Sequence, residues 1–108
     1  FTVNSVSAAA AAAALPDTER AERYIAQVKQ WRTRFGDEVK YPVLPSAANF
    51  VMIDVAPHKG DAMVESLARK GVVVRSCGSF AGLSDHYIRV SVGEDWENEL
   101  FVQEINKL

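Results

Sequence analysis

Tyr87-Ile88-Arg89-Val90-Ser91-Val92 is the stretch that decides how this chain of 108 residues folds. Ile88, Val90 and Val92 alternate with Tyr87, Arg89 and Ser91, the period of two of a strand with one apolar and one polar face. Such a strand needs backbone partners and a layer over its apolar side. Phe50 to Val55 reads as a buried strand, because Phe50, Val51, Met52 and Ile53 put apolar groups on both faces. Val72, Val73 and Val74 read as another buried strand, running directly into Arg75. Tyr41 to Leu44 reads as a short edge strand, since Pro42 within it and Pro45 after it forbid a central position.

The covering layer must come from helices between these strands. Asp17 is a good N-cap, with Glu19 in the first turn behind it. Ala21, Tyr24, Ile25, Val28, Trp31 and Phe35 then recur at helical steps of three and four, and Gly36 reads as the C′ residue that ends the helix. Pro57 and Gly60 form a turn. Asp61 is expected to cap a short helix that turns Met63, Val64, Leu67 and Ala68 inward and closes at Gly71. Ser76 to His86 reads as a loop. Gly93 leads into a last helix whose start carries Glu94, Asp95 and Glu97 and whose apolar side is Trp96, Leu100, Phe101, Ile105 and Leu108. Ala8 to Leu15 has high helix propensity but little side chain to bury, so it reads as a helix that needs a close neighbour outside the chain, broken at Leu15 and Pro16. The order describes an α/β fold: a two-layer α/β sandwich with a small, mostly antiparallel sheet and helices on one face.

Composition narrows the function. The chain is 48% apolar and 24% charged, a globular balance for one compact domain that buries roughly two thirds of its unfolded surface. Twelve basic against fourteen acidic residues give a net charge of −2, so no basic field is present to hold nucleic acid. Cys77 is the single cysteine, and His58 and His86 lack metal-ligand spacing, so no metal site is expected. The run from Ala8 to Leu15 is far short of the roughly 20 residues of a membrane helix and has no basic flank for a signal peptide. A reducing cytoplasm is the expected location. The chain begins at Phe1, which reads as a cut piece of a longer protein. No phosphate loop, dinucleotide fingerprint or Gly-x-Ser-x-Gly motif occurs. Cys77 has no base beside it in sequence and reads as a plain thiol.

Two arginines carry what chemistry remains. Arg75 follows the valine run, and Arg89 projects from the sheet face opposite Ile88 and Val90. A guanidinium offers a planar two-pronged donor array suited to carboxylate and phosphate. Held on strands, the pair would bind an anionic small molecule. The competing reading is two surface arginines lying over a sheet.

Ala48-Asn49-Phe50-Val51, Gly71-Val72-Val73-Val74-Arg75, Tyr87-Ile88-Arg89-Val90-Ser91-Val92-Gly93 and Glu97-Asn98 together resemble the C-terminal part of histidinol-phosphate aminotransferases. The opening Phe1-Thr2-Val3-Asn4-Ser5 with its alanines is similar to the segment where their large domain hands over to the small one. Arg75-Ser76-Cys77, Phe80 and Gly82-Leu83 with Tyr87-Ile88-Arg89 also resemble threonine-phosphate decarboxylases, close relatives with the same cofactor. The resemblance implies the small domain of a bilobed, fold-type I enzyme dependent on pyridoxal 5′-phosphate, in which 1–16 is the interdomain helical segment and 17–108 the small C-terminal domain. It implies that Arg89 clamps a substrate α-carboxylate and that Arg75 faces its phosphate. It implies that the Schiff-base lysine, the Asp facing the pyridine nitrogen and the cofactor-phosphate residues lie upstream, since Lys29, Lys40, Lys59, Lys70 and Lys107 stand in no serine-rich motif. The 108 residues alone are then expected to be inactive, with no catalytic or cofactor-binding residue of their own. The expected partners are a phosphorylated, amino-acid-like substrate, the large domain of the same chain and a second copy in a homodimer. Whether the whole enzyme transfers an amino group or removes carbon dioxide stays open at this level, as does a stand-alone α/β ligand-binding module.

Overall fold

The computed structural model describes residues 2–108. Phe1, expected at the head of the first segment, lies outside the described residues. The elements in chain order are α1 (Ser5–Ala14), α2 (Thr18–Glu38), β1 (Phe50–Asp54), α3 (Gly60–Ala68), β2 (Arg75–Ser76), β3 (Tyr87–Ser91) and α4 (Asp95–Asn106).

The sheet has the order β1-β3-β2, and β3 pairs antiparallel with both neighbours. The period-two strand is therefore the central one. β1 and β2 flank it and run parallel to each other, joined by the crossover through α3. In register, Met52 and Arg75 lie on either side of Arg89, and Val51 faces Val90. The segment before β1 runs along its free edge through a bridge from Val43 to Ile53, with Leu44 N–H donating to the Met52 carbonyl and Asp54 N–H to that of Pro42. This is the edge position that the two prolines impose.

One face of the sheet is core. Val51, Ile53, Ile88 and Val90 are buried against Val28, Trp31 and Phe35 of α2, Met63 and Leu67 of α3, and Phe101 and Ile105 of α4. The rings of Trp31, Phe35 and Phe101 form a chain with centroids 5.5 Å apart at each step, a favourable tilted and edge-on arrangement. Trp31 Nε1 donates to Asp95 at 2.7 Å, which ties α2 to the start of α4. Asn98, buried among apolar groups, accepts from Gly93 N–H and donates to the Gly93 carbonyl, so its amide is satisfied.

Several local expectations are corrected. Asp17 caps α2 by accepting from Arg20 N–H, as expected, but the helix runs through Gly36 to Glu38. Gly36 has open space around its Cα and an ordinary helical backbone, so nothing there forces a stop. The residue before α3 is Lys59, and Asp61 lies inside the first turn. Ala68 is exposed rather than inward. Gly71 does close that helix, at φ 81°, with its N–H on the Ala68 carbonyl. Val72 to Val74 joins no strand; Val72 and Val74 are buried as expected, but Val73 is 88% exposed. β1 buries one face, since Phe50, Met52 and Asp54 are only half-buried. Trp96 is 66% exposed and stands off the apolar side of α4. α1 forms but starts at Ser5, three residues before the expected Ala8, capped by Asn4 on Ser7 N–H; it ends at Ala14 and buries none of its residues.

Candidate functional site

Among the described residues, the core-forming helices lie on one face of the sheet, and the sequence's polar alternation lands on the other. Register puts Phe50, Met52 and Asp54 of β1, Tyr87, Arg89 and Ser91 of β3, and Arg75 of β2 on it. Arg75 and Arg89 are directly opposite one another. Both arginines read from the sequence as site residues are thus brought together, Arg89 half-buried and Arg75 exposed.

Arg89 owes its aim to its neighbours. Ile88 is fully buried and Val90 nearly so, and the backbone between them is fixed by hydrogen bonds to strands on both sides. Arg75 sits on a strand of two residues whose pairing is prolonged by Cys77 N–H donating to the Tyr87 carbonyl. On the core side of β2, Ser76 lies against the first residue of α3, where a Cβ on Gly60 would come 3.1 Å from its Oγ.

Like charges directly across a strand pair repel. No carboxylate forms an ion pair with either guanidinium among the described residues. Aromatic rings take that place. The Arg89 guanidinium carbon lies 4.7 Å from the centroid of Phe50, and that of Arg75 lies 5.2 Å from Phe80, both within cation–π range. Cys77 is buried close to both charges. Burial pushes its thiol pKa up and the two guanidiniums only partly pull it back, so it stays a neutral thiol and contributes no countercharge. The face therefore presents two positive groups with no carboxylate paired to either, which is an anion-binding arrangement.

At the far end of the same face, Asp54 meets His86 Nδ1 at 2.7 Å. The Ala56 backbone N–H, followed by His86, holds the Asp54 carboxyl below the ordinary carboxylate range. The His86 ring also lies against Tyr87, with centroids 4.5 Å apart. Phe50, Phe80 and the Asp54–His86 pair are the parts that sequence reasoning missed. Alternation shows which face Phe50 takes within its own strand but not which strand lies beside it. Nothing in the sequence shows that the loop folds Phe80 back onto Arg75. Among the described residues no group of His, Cys, Asp and Glu could hold a metal, and no helix is long and apolar enough to cross a membrane.

Comparison with known proteins bears on the chain as a whole. The histidinol-phosphate aminotransferase of Methanoculleus marisnigri is 59% identical over 108 residues, covering all of this chain and 31% of that protein. The chain thus spans about a third of the length of the curated relatives it matches. The crystal structure of histidinol-phosphate aminotransferase from Sinorhizobium meliloti in complex with pyridoxal-5′-phosphate superposes with a TM-score of 0.80 at 29% identity, over 94% of this chain and 29% of that one. A decarboxylase from Sulfurospirillum multivorans superposes with a TM-score of 0.84 over 99% of this chain and 29% of that one, at 20% identity, a likeness of fold alone. The family model for aminotransferase class I and II matches residues 1–105, and the chain belongs to that family.

Proposed function

We propose that this chain is the substrate-clamping, C-terminal domain of a histidinol-phosphate aminotransferase, a cytoplasmic enzyme that works as a homodimer with pyridoxal 5′-phosphate. The single observation that carries the reading is the pair of opposed, carboxylate-free guanidiniums on an uncovered sheet face. Identity of 59% to a relative of that name supports the choice of substrate.

The cofactor itself does not fit the residues present. It needs a lysine placed at the reacting centre, usually one shielded from water. Lys29, Lys40, Lys59, Lys70 and Lys107 are all exposed, and none stands on the sheet face. We therefore assign cofactor binding, and every covalent step, to parts of the whole protein outside these residues. What this chain contributes is binding and orientation.

Histidinol phosphate bears a phosphate ester where an α-amino acid bears its carboxylate. A carboxylate is planar and singly charged, so one guanidinium fork satisfies it. A phosphate monoester is tetrahedral and carries close to two charges at neutral pH, so it has oxygens for a second fork. Arg89, central and half-buried, is assigned to the anionic group of either kind of substrate. Arg75, at the edge, is assigned to the further phosphate oxygens.

The test is amino-group transfer by the whole enzyme, measured in single turnovers with histidinol phosphate and with histidine. Arg89→Ala should weaken both donors alike, and Arg75→Ala should weaken histidinol phosphate more than histidine. Equal losses on both donors from the two variants, or no loss from either, would overturn the two-arginine clamp.

A further inference from the structure

We infer that Phe80 is a positioning residue that sets where the Arg75 guanidinium stands, and so sets how well the site takes a phosphate rather than a carboxylate. The inference rests on the reading of the clamp given above.

Two guanidiniums that start from directly opposed positions must separate or be neutralised. Here each guanidinium lies against its own ring. Phe50 belongs to β1, on the side of β3 away from β2, so Arg89 leans away from its twin to reach it. Arg75 turns instead to Phe80, in the loop that follows β2. The two rings are held very differently. Phe50 is half-buried in a five-residue strand. Phe80 is 41% exposed and is held by a turn in which its N–H donates to the Cys77 carbonyl and its carbonyl accepts from Leu83 N–H.

Arg89 is thus placed by the sheet, whereas Arg75 is placed by a ring on a loop. In the proposed clamp only a phosphate uses both forks. A change at Phe80 therefore alters the Arg75 position and is felt by a phosphorylated donor, while a carboxylate held by Arg89 is spared. Because Phe80 touches the arginine and not the reacting atoms, its effect should appear in half-saturation rather than in the maximal rate.

The experiment compares wild type, Phe80→Leu, Phe80→Trp, Arg75→Ala and the double variant in the whole enzyme, by single-turnover transfer from histidinol phosphate and from histidine. Leucine keeps apolar bulk without the ring face, and tryptophan keeps the face. Phe80→Leu should raise the half-saturating concentration of histidinol phosphate about two- to fivefold, the range an exposed cation–π contact supports, and leave histidine unchanged. Phe80→Trp should restore wild-type behaviour, and Phe80→Leu should add nothing once Arg75 is alanine. Equal effects of Phe80→Leu on both donors, or none on either, overturn the inference while a discriminating Arg75→Ala leaves the clamp standing. If Arg75→Ala itself fails to discriminate, the clamp falls and the role of Phe80 falls with it.

Discussion

Arg89 shows how a functional side chain gets its geometry from its neighbours. The two flanking apolar residues are sunk in the core, and the guanidinium is left on the other face as a consequence of the pleat. Its substitution should therefore separate function from folding. Arg89→Ala in the whole enzyme removes one partner of a charge-assisted pair, a loss of about 2–5 kcal/mol in a desolvated site, or roughly thirty- to several-thousandfold in kcat/KM. Arg89→Lys keeps the charge but not the planar fork, so it should recover only part of that loss. Both variants should melt within a few degrees of wild type, and a large fall in Tm would show that Arg89 is structural. The Asp54–His86 pair makes the opposite prediction, a stability effect set by pH. The folded-state carboxyl titrates below its ordinary value of 3.8. Its stabilisation is complete above the unfolded value and is lost as pH falls through the lower, folded one. Wild type should therefore melt above Asp54→Ala at neutral pH, and the gap should close in acid below about pH 4. A gap that is the same in acid and at neutrality would assign it to packing and not to the carboxylate.

At the scale of elements, the position of α3 against β3 is the tightest fit that bears on the site. A Cβ at Gly60 would lie 2.7 Å from the Tyr87 carbonyl oxygen, a backbone atom that cannot swing aside, and Gly60 N–H already donates to the Asp85 carbonyl. Gly60→Ala must lift the helix from the strand two residues before Arg89, at a cost of about 1–3 kcal/mol. Gly36→Ala, where nothing stands within 4 Å in an ordinary helical backbone, should instead stabilise by roughly 0.5–1 kcal/mol. Thermal melts of the two variants should move in opposite directions, and a shared direction would refute the packing argument. The pair also marks what can be read from sequence. The face of Arg89 was legible because alternation in Tyr87 to Val92 is a local property of one strand. Asp17 was legible because a cap acts within one turn. Gly36 reads as a terminator from sequence alone because helix continuation there depends on Phe35 being buried in the core. The valine run was misread as a strand because β-branched side chains favour extension without saying which chain will pair with it. Phe80 was illegible as a partner of Arg75, since a loop's return path is a tertiary fact.

The whole molecule is elongated, 46 × 31 × 26 Å, and its two ends differ in kind. The sheet end has a closed core. At the other end α1 buries nothing, and Val3, Val6 and Leu15 are each more than 70% exposed. The apolar stripe of α2 divides accordingly. Val28, Trp31 and Phe35 are inside the core, whereas Tyr24 and Ile25, nearer α1, are 45% and 51% exposed. Ala11, Ala14 and Leu15 share a groove with Ala21 and Ile25, so these exposed groups adjoin one another across the α1–α2 turn. A surface of alanines gains by burial only when another backbone can come close, and an uncovered apolar patch of this kind promotes association. It also gives physical content to the proposed division at residue 16, since the described residues up to that point lend nothing to the core cluster. Removing residues 1–16 from the 108-residue chain should therefore leave the cooperative melt of the remainder nearly unchanged and reduce its self-association. Sedimentation and binding of a dye for apolar surface would measure the second effect, and circular dichroism the first. Loss of the melting transition on truncation would place α1 within the folding unit. Unchanged self-association would move the adhesive surface elsewhere, with the exposed Val73 and Trp96, which line one groove beside α4, as the next surface to test.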